Sequence, residues 1–153
     1  MLVDLSLIQK YDISGPRYTS YPTALQFEES SDVDYRRAVH SRGDDPISLY
    51  THLPFCNTLC YYCACSKIVT KDKTAAERYL GYLFKEIEAH ARLYQDREVR
   101  QLHWGGGTPT YLTDDQINRL SAELRCQFDF ADDGEYSIEI DPRTVDPACV
   151  ANL

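Results

Sequence analysis

The spacing of apolar positions changes character at about residue 46. Before it no period is held: Gly15–Pro16 and Tyr21–Pro22 interrupt the chain, and the Gly-Asp-Asp at 43–45 marks a turn. Within this loop-rich lead-in, Val33, Arg36, Arg37 and Val39 fit one short helix. From Pro46 on, two periods take turns. ISLYTHL (47–53) alternates β-forming residues and reads as a strand. Thr74, with Glu77 three residues on, reads as a helix start of the capping-box kind. Leu80, Leu83, Phe84, Ile87, Ala91 and Tyr94 then recur at helical spacing and predict a stripe facing a core. VRQLHW (99–104) is the next strand and runs into GGGTPT (105–110). Thr113 and Gln116 cap a second helix carrying Ile117, Leu120 and Leu124. In EYSIEI (135–140), Tyr136, Ile138 and Ile140 point one way, and Ser137 and Glu139 the other. Asp146–Pro147 opens a third helix, which has under two turns before Leu153.

Strand and helix thus alternate three times, which predicts an α/β fold with a parallel sheet and helices outside it. A closed barrel of eight such units takes about 250 residues. The expectation is therefore a lead-in over 1–45, and over 46–153 the truncated first three βα units of a barrel belonging to a larger protein.

Composition narrows the classes. With 43% hydrophobic and 12% aromatic residues, the 153-residue chain has enough apolar material for a packed core. Sixteen Lys and Arg against 24 Asp and Glu give a formal charge of −8, which argues against nucleic acid or an anionic membrane as partner. The N-terminus lacks a basic start followed by a long apolar run, and no apolar segment approaches the roughly 20 residues of a membrane helix. A cytoplasmic location is expected.

Four of the six cysteines fall in CNTLCYYCAC (56–65), spaced C-x3-C-x2-C-x-C. Reducing conditions in the cytosol weigh against disulfides. Zinc usually takes two separated cysteine pairs, and here Cys126 and Cys149 form no second pair, though His52 and His103 could complete a site. Three thiolates on one short loop suit three corners of a [4Fe–4S] cluster and leave the fourth iron open. Spacing alone leaves iron–sulfur and zinc both standing, and does not settle whether Cys65 is a ligand.

GGGTPT follows a strand at the edge where α/β sheets bind ligands, and its glycines permit close approach to the backbone. It is neither a phosphate loop nor G-x-G-x-x-G. Glu139 lies near the carboxyl end of the third strand, out of phase with the apolar residues. Three successive strands therefore deliver cysteines, glycines and a carboxylate to one rim.

Together these residues resemble the radical S-adenosylmethionine (SAM) superfamily, whose signature is C-x3-C-x2-C with an aromatic residue before the third cysteine: here Cys56, Cys60, Tyr62 and Cys63. The resemblance implies a partial radical-SAM (β/α) barrel in which these three cysteines hold a [4Fe–4S] cluster and SAM chelates the fourth iron. It further implies that Gly106, Gly107 and Thr108 contact the methionine part of SAM, Glu139 the ribose, and that Tyr50 lies beside the cofactor. Cys65 is not a cluster ligand in this pattern.

GPRYTSYPTA (15–24), LYTHLPFCNTLCYYCACSKIVT (49–70) and LHWGGGTPTYL (102–112) resemble more narrowly the oxygen-independent coproporphyrinogen III oxidases (dehydrogenases), a family of that superfamily. This implies an oxidoreductase of porphyrin and haem biosynthesis that turns coproporphyrinogen III into protoporphyrinogen IX. An electron from a donor such as a flavodoxin or ferredoxin cleaves SAM, and the resulting radical takes hydrogen from a propionate β-carbon. Carbon dioxide is then lost from each of two propionates. Arg17, Tyr18 and Tyr21 would help hold the porphyrinogen, and the protein would act as a monomer. The alternative within the superfamily is a haem chaperone without oxidase activity. It usually lacks the PRYTSYPTA lead-in and carries an acidic and an aromatic residue where this chain has Ala64–Cys65. A fragment of this size is expected to be inactive alone.

Overall fold

The computed structural model describes residues 5–12 and 23–153, so Arg17, Tyr18 and Tyr21 lie outside the described residues. The chain divides into two compact units, Met1–Tyr35 and Arg36–Leu153.

The first unit holds α1 (Leu5–Tyr11), a 3₁₀ turn at Ala24–Gln26 and the start of α2 (Asp32–Ser41). Ser31 caps α2 reciprocally: its hydroxyl accepts from the Asp34 amide at 3.3 Å, while the Asp34 carboxylate accepts from the Ser31 amide at 3.1 Å. The short helix read from Val33 to Val39 is present, whereas α1 shows no period in the sequence. It has 7 residues and buries none of them, so no stripe could mark it.

The second unit continues with β1 (Ile47–Leu53), β2 (Phe55–Cys56), β3 (Ile68–Val69), α3 (Lys73–Ala91), β4 (Glu98–Gly106), a 3₁₀ turn (Pro109–Tyr111), α4 (Asp114–Gln127), β5 (Asp129–Ile138) and α5 (Pro147–Asn152). β1, β4 and β5 form one parallel sheet in that order, the βαβ arrangement read from the alternation of periods. Leu80, Ile87 and Ala91 of α3 and Ile117, Leu120 and Leu124 of α4 are buried with Leu53, Val99 and Trp104 of the strands, while Leu83, Phe84 and Tyr94 pack partly against this core.

Two element boundaries depart from expectation. α3 begins at Lys73, because Asp72 is the cap: its carboxylate accepts from the Thr74 amide at 2.9 Å. Glu77 does not reach back to a cap. It accepts from Arg119 at 2.8 Å and from the Gln116 amide at 3.1 Å, tying α3 to α4. β5 begins six residues ahead of Glu135, since Asp129 and Phe130 already pair with Glu98 and Val99. A register shift then brings Glu135 opposite Gln101. Thr113 and Gln116 do form the capping box of α4.

The faces of the sheet differ in kind. Leu49, Thr51, Leu53, Leu102, Trp104 and Ile138 point toward the helices. On the other face the register lines up Ser48 with Gln101 and Glu135, and Tyr50 with His103 and Ser137. His52 pairs with Gly105, and Glu139 follows Ile138, where its amide extends the ladder to the Trp104 carbonyl at 2.9 Å. Strands of a parallel sheet buried on both faces read as continuous apolar runs. Here one face is polar in all three strands, which suits water or a polar ligand.

Candidate functional site

The site is built where the sheet's carboxyl ends meet the cysteine loop. β2 and β3 clamp the base of that loop: Ile68 donates to the Pro54 carbonyl at 2.7 Å and Thr70 to the Cys56 carbonyl at 3.0 Å. Inside it, the Cys63 amide donates to the Cys60 carbonyl at 3.2 Å, closing a turn between the second and third cysteines. Lys67 braces the same turn by donating to the Cys63 carbonyl at 2.9 Å. The two-residue strands β2 and β3 leave no periodic signal in the sequence.

The glycine segment is joined to the start of this loop. Gly107 donates to the Leu53 carbonyl at 2.9 Å and Thr108 to the Phe55 carbonyl at 2.8 Å. The Thr108 hydroxyl lies 3.6 Å from the Cys56 sulfur. A Cβ at Gly107 would stand 2.6 Å from the Pro54 oxygen and 2.7 Å from the Phe55 oxygen, so only glycine lets the two backbones lie this close. Gly106 has φ +115°, a conformation side chains rarely adopt, and a Cβ there would meet the His52 ring at 2.8 Å. Part of the glycine requirement thus comes from packing protein on protein.

All six cysteines are free thiols; Cys56 is buried, Cys60 and Cys63 half-buried and Cys65 exposed, while Cys126 and Cys149 sit away on α4 and α5. Among the described residues no three His, Cys, Asp or Glu side chains converge as a single ion requires. The electrostatics favour thiolate at Cys63. Hydrogen bonds from the backbone and thiol of Cys65, then the Lys67 charge, hold the Cys63 thiol below its usual value. Cys65 is pushed up, first by that shared hydrogen bond and then by the Cys63 charge, so Cys63 is the more acidic thiol of the two. Beyond β5, Arg143 is gripped by Asp141 through Nε at 2.9 Å and Nη2 at 2.8 Å, and reaches the Cys60 sulfur. The Asp141 carboxyl is lowered by those hydrogen bonds.

On the polar face, the Tyr50 hydroxyl lies 3.1 Å from His52 Nδ1, and His52 Nε2 lies 2.9 Å from the Ser66 carbonyl in the cysteine loop. Desolvation, then the charge of Glu139, raise the Tyr50 phenol, so it stays neutral at physiological pH. Tyr50, Gly106, Gly107, Thr108 and Glu139 therefore share one rim with Cys56. Tyr62 stands 93% exposed on the loop and takes no part in that buried junction. Sequence reasoning passed over Ser48, Gln101 and Glu135, which complete the polar face, gave Ser137 a face but no role, and offered His103 only to a zinc site. The available signal was the polar residue at every second position in all three strands.

Comparison with known proteins agrees with this geometry. Residues 50–153 match the model of the radical SAM superfamily. The chain is 56% identical over 144 residues to oxygen-independent coproporphyrinogen III oxidase of Salmonella typhimurium, covering 94% of this chain and 32% of that protein. It is 55% identical over 140 residues to a protein of the same name from Mannheimia haemolytica, covering 91% and 96%. Among solved structures, coproporphyrinogen III oxidase from Escherichia coli, described as a radical SAM enzyme, matches with a TM-score of 0.85 at 47% identity. That match covers 97% of this chain and 33% of that one. The chain thus spans about a third of the length of several of its relatives.

Proposed function

From a chain that belongs to the radical SAM superfamily, and within it to the oxygen-independent coproporphyrinogen III oxidases, we propose that Cys56, Cys60 and Cys63 hold a [4Fe–4S] cluster and that Tyr50, Tyr62, Gly106, Gly107, Thr108 and Glu139 contact SAM. The whole enzyme to which residues 46–153 contribute the first part of a (β/α) barrel core converts coproporphyrinogen III to protoporphyrinogen IX, and residues 1–45 form its lead-in. The observation that carries this reading is the backbone junction of the glycine segment with Phe55 and Leu53, which brings Thr108 directly beside Cys56.

The residues present fit the group. Three thiols on one clamped loop, none in a disulfide, match a cluster with one open iron, and the Lys67 cation favours thiolate at Cys63. When bound, the cluster and SAM supply the radical that takes hydrogen from a propionate side chain. Glu139 would accept from ribose hydroxyls, the Gly106–Thr108 segment would line the methionine part with its Gly107 and Thr108 amides already bonded to Leu53 and Phe55, and Tyr50 would remain a neutral donor. Cys65 donates to Cys63 and is not a ligand. The −8 charge supports a small-molecule substrate over nucleic acid. No helix among the described residues is long and apolar enough to cross a membrane. We place the protein in the cytoplasm as a monomer, reduced by a flavodoxin or ferredoxin.

The test is electron paramagnetic resonance on the chain reconstituted anaerobically with iron and sulfide and reduced, with and without SAM. A cubane signal that changes on adding SAM supports three-cysteine ligation with an open iron. Zinc in place of a cluster overturns it. Retention of haem by the full-length protein without decarboxylation would put the chaperone in its place.

A further inference from the structure

His103 occupies the centre of the polar face. It lies on β4, the middle strand, and touches a neighbour on each side. Its ring stacks on Tyr50 of β1, with centroids 5.8 Å apart and planes 16° from parallel. Toward β5, Nδ1 lies 2.8 Å from the Ser137 hydroxyl and Nε2 lies 3.5 Å from Glu139 Oε1. Gly105, two residues on and on the same face, makes this possible. A Cβ there would come 3.0 Å from His103 Nε2 and 3.1 Å from the Tyr50 ring, closing the space through which the imidazole reaches Glu139.

We propose that His103 is a positioning residue: it fixes the Glu139 carboxylate and the Tyr50 ring relative to one another, so that both present a preset surface to a nucleoside whose hydroxyls Glu139 accepts. What Glu139 touches belongs to the reading above; the placement of His103 does not depend on it. The chemistry assigns the tautomer. An ionised carboxylate only accepts, so Nε2 carries the hydrogen that faces Glu139. A neutral ring then has a bare Nδ1, which accepts from the Ser137 hydroxyl at 2.8 Å in preference to the Leu102 carbonyl, 3.5 Å from the same hydroxyl. A separation of 3.5 Å is at the long edge of hydrogen bonding. The contact therefore orients the carboxylate through the N–H dipole while leaving its lone pairs to accept from ligand hydroxyls. Ser137 sets the ring plane, and the Tyr50 stack sets its depth. The same three contacts tie the strands together across the face, so ligand-free Glu139 is already held near its working position and less rotamer freedom is lost on binding.

Two measurements test this. Nitrogen NMR of the imidazole in the cofactor-free chain should show the Nε2–H tautomer in the wild type, and a shifted tautomer population in Glu139→Gln. Dominance of the Nδ1–H tautomer overturns the proposal. In the chain reconstituted with iron and sulfide, His103→Phe keeps the ring stack but removes both nitrogens, and should weaken SAM binding about tenfold, the size of one lost polar contact. His103→Gln keeps a donor near the Nε2 position and should stay within a few-fold of wild type, with iron content unchanged in both. Equal SAM affinity in His103→Phe and wild type overturns the proposal. If the wild-type chain loads iron but does not bind SAM, the tautomer experiment decides alone whether His103 holds Glu139.

Discussion

At the scale of single residues, the proposed cluster would divide the loop cysteines into three ligands and a donor. Cys65→Ser should retain the full iron content of the reconstituted chain, since a serine hydroxyl can still donate to Cys63, whereas Cys56→Ser, Cys60→Ser and Cys63→Ser should each lose the cluster. Iron and sulfide analysis with visible absorption checks this, and loss of iron in Cys65→Ser would make it a fourth ligand. Gly107→Ala sets a methyl group 2.6 Å from a backbone oxygen that cannot rotate away. It should lower stability by about 1–3 kcal/mol, the usual cost of overpacking, read as a fall in urea midpoint. The C-x3-C-x2-C spacing could be read directly because ligand spacing is local. The start of α3 could not: Asp72 and Thr74 are both good caps, and the contest is settled only by Thr74 itself donating to Asp72 through its hydroxyl at 2.6 Å.

At the scale of elements, α3 and α4 are coupled by one exposed carboxylate. Hydrogen bonds from Arg119 and Gln116 hold the Glu77 carboxyl below its ordinary value of about 4.3. A depressed folded-state value means that the stabilisation is fully present above that ordinary value and is lost as pH falls through the lowered one. Glu77→Gln should therefore flatten the acid limb of a urea-midpoint profile below about pH 4.3; an unchanged profile would show that the pair contributes nothing. The long elements were readable because β1, β4, α3 and α4 each hold a period long enough to count. α1, β2 and β3 were not, since an exposed two-turn helix and two-residue strands carry no period. The early start of β5 was hidden because its first pairs precede a register shift.

At the scale of the whole molecule, the two faces of the sheet should answer mutation differently. Leu80→Ala opens a cavity beneath the helices and should cost about 2–5 kcal/mol. Gln101→Ala, on the polar face, should stay within about 0.5 kcal/mol; denaturant midpoints of the two variants compare them. That face is where barrel topology places an interior, and interiors of small barrels are commonly filled with branched apolar side chains. Its polarity in all three strands is a whole-molecule property that no single motif announces, although the alternation that encodes it runs through 48–52, 101–105 and 135–139. The junction between the glycine segment and Phe55 has a further consequence. Because Gly107 and Thr108 hang on the carbonyls of Leu53 and Phe55, the amide protons of these two residues sit at the seam between sheet and cysteine loop. The seam ties the segment leading into Cys56 to the end of β4, so drawing Cys56 off the rim strains these bonds. Deuterium uptake at those two amides would time every excursion of Cys56 away from the rim.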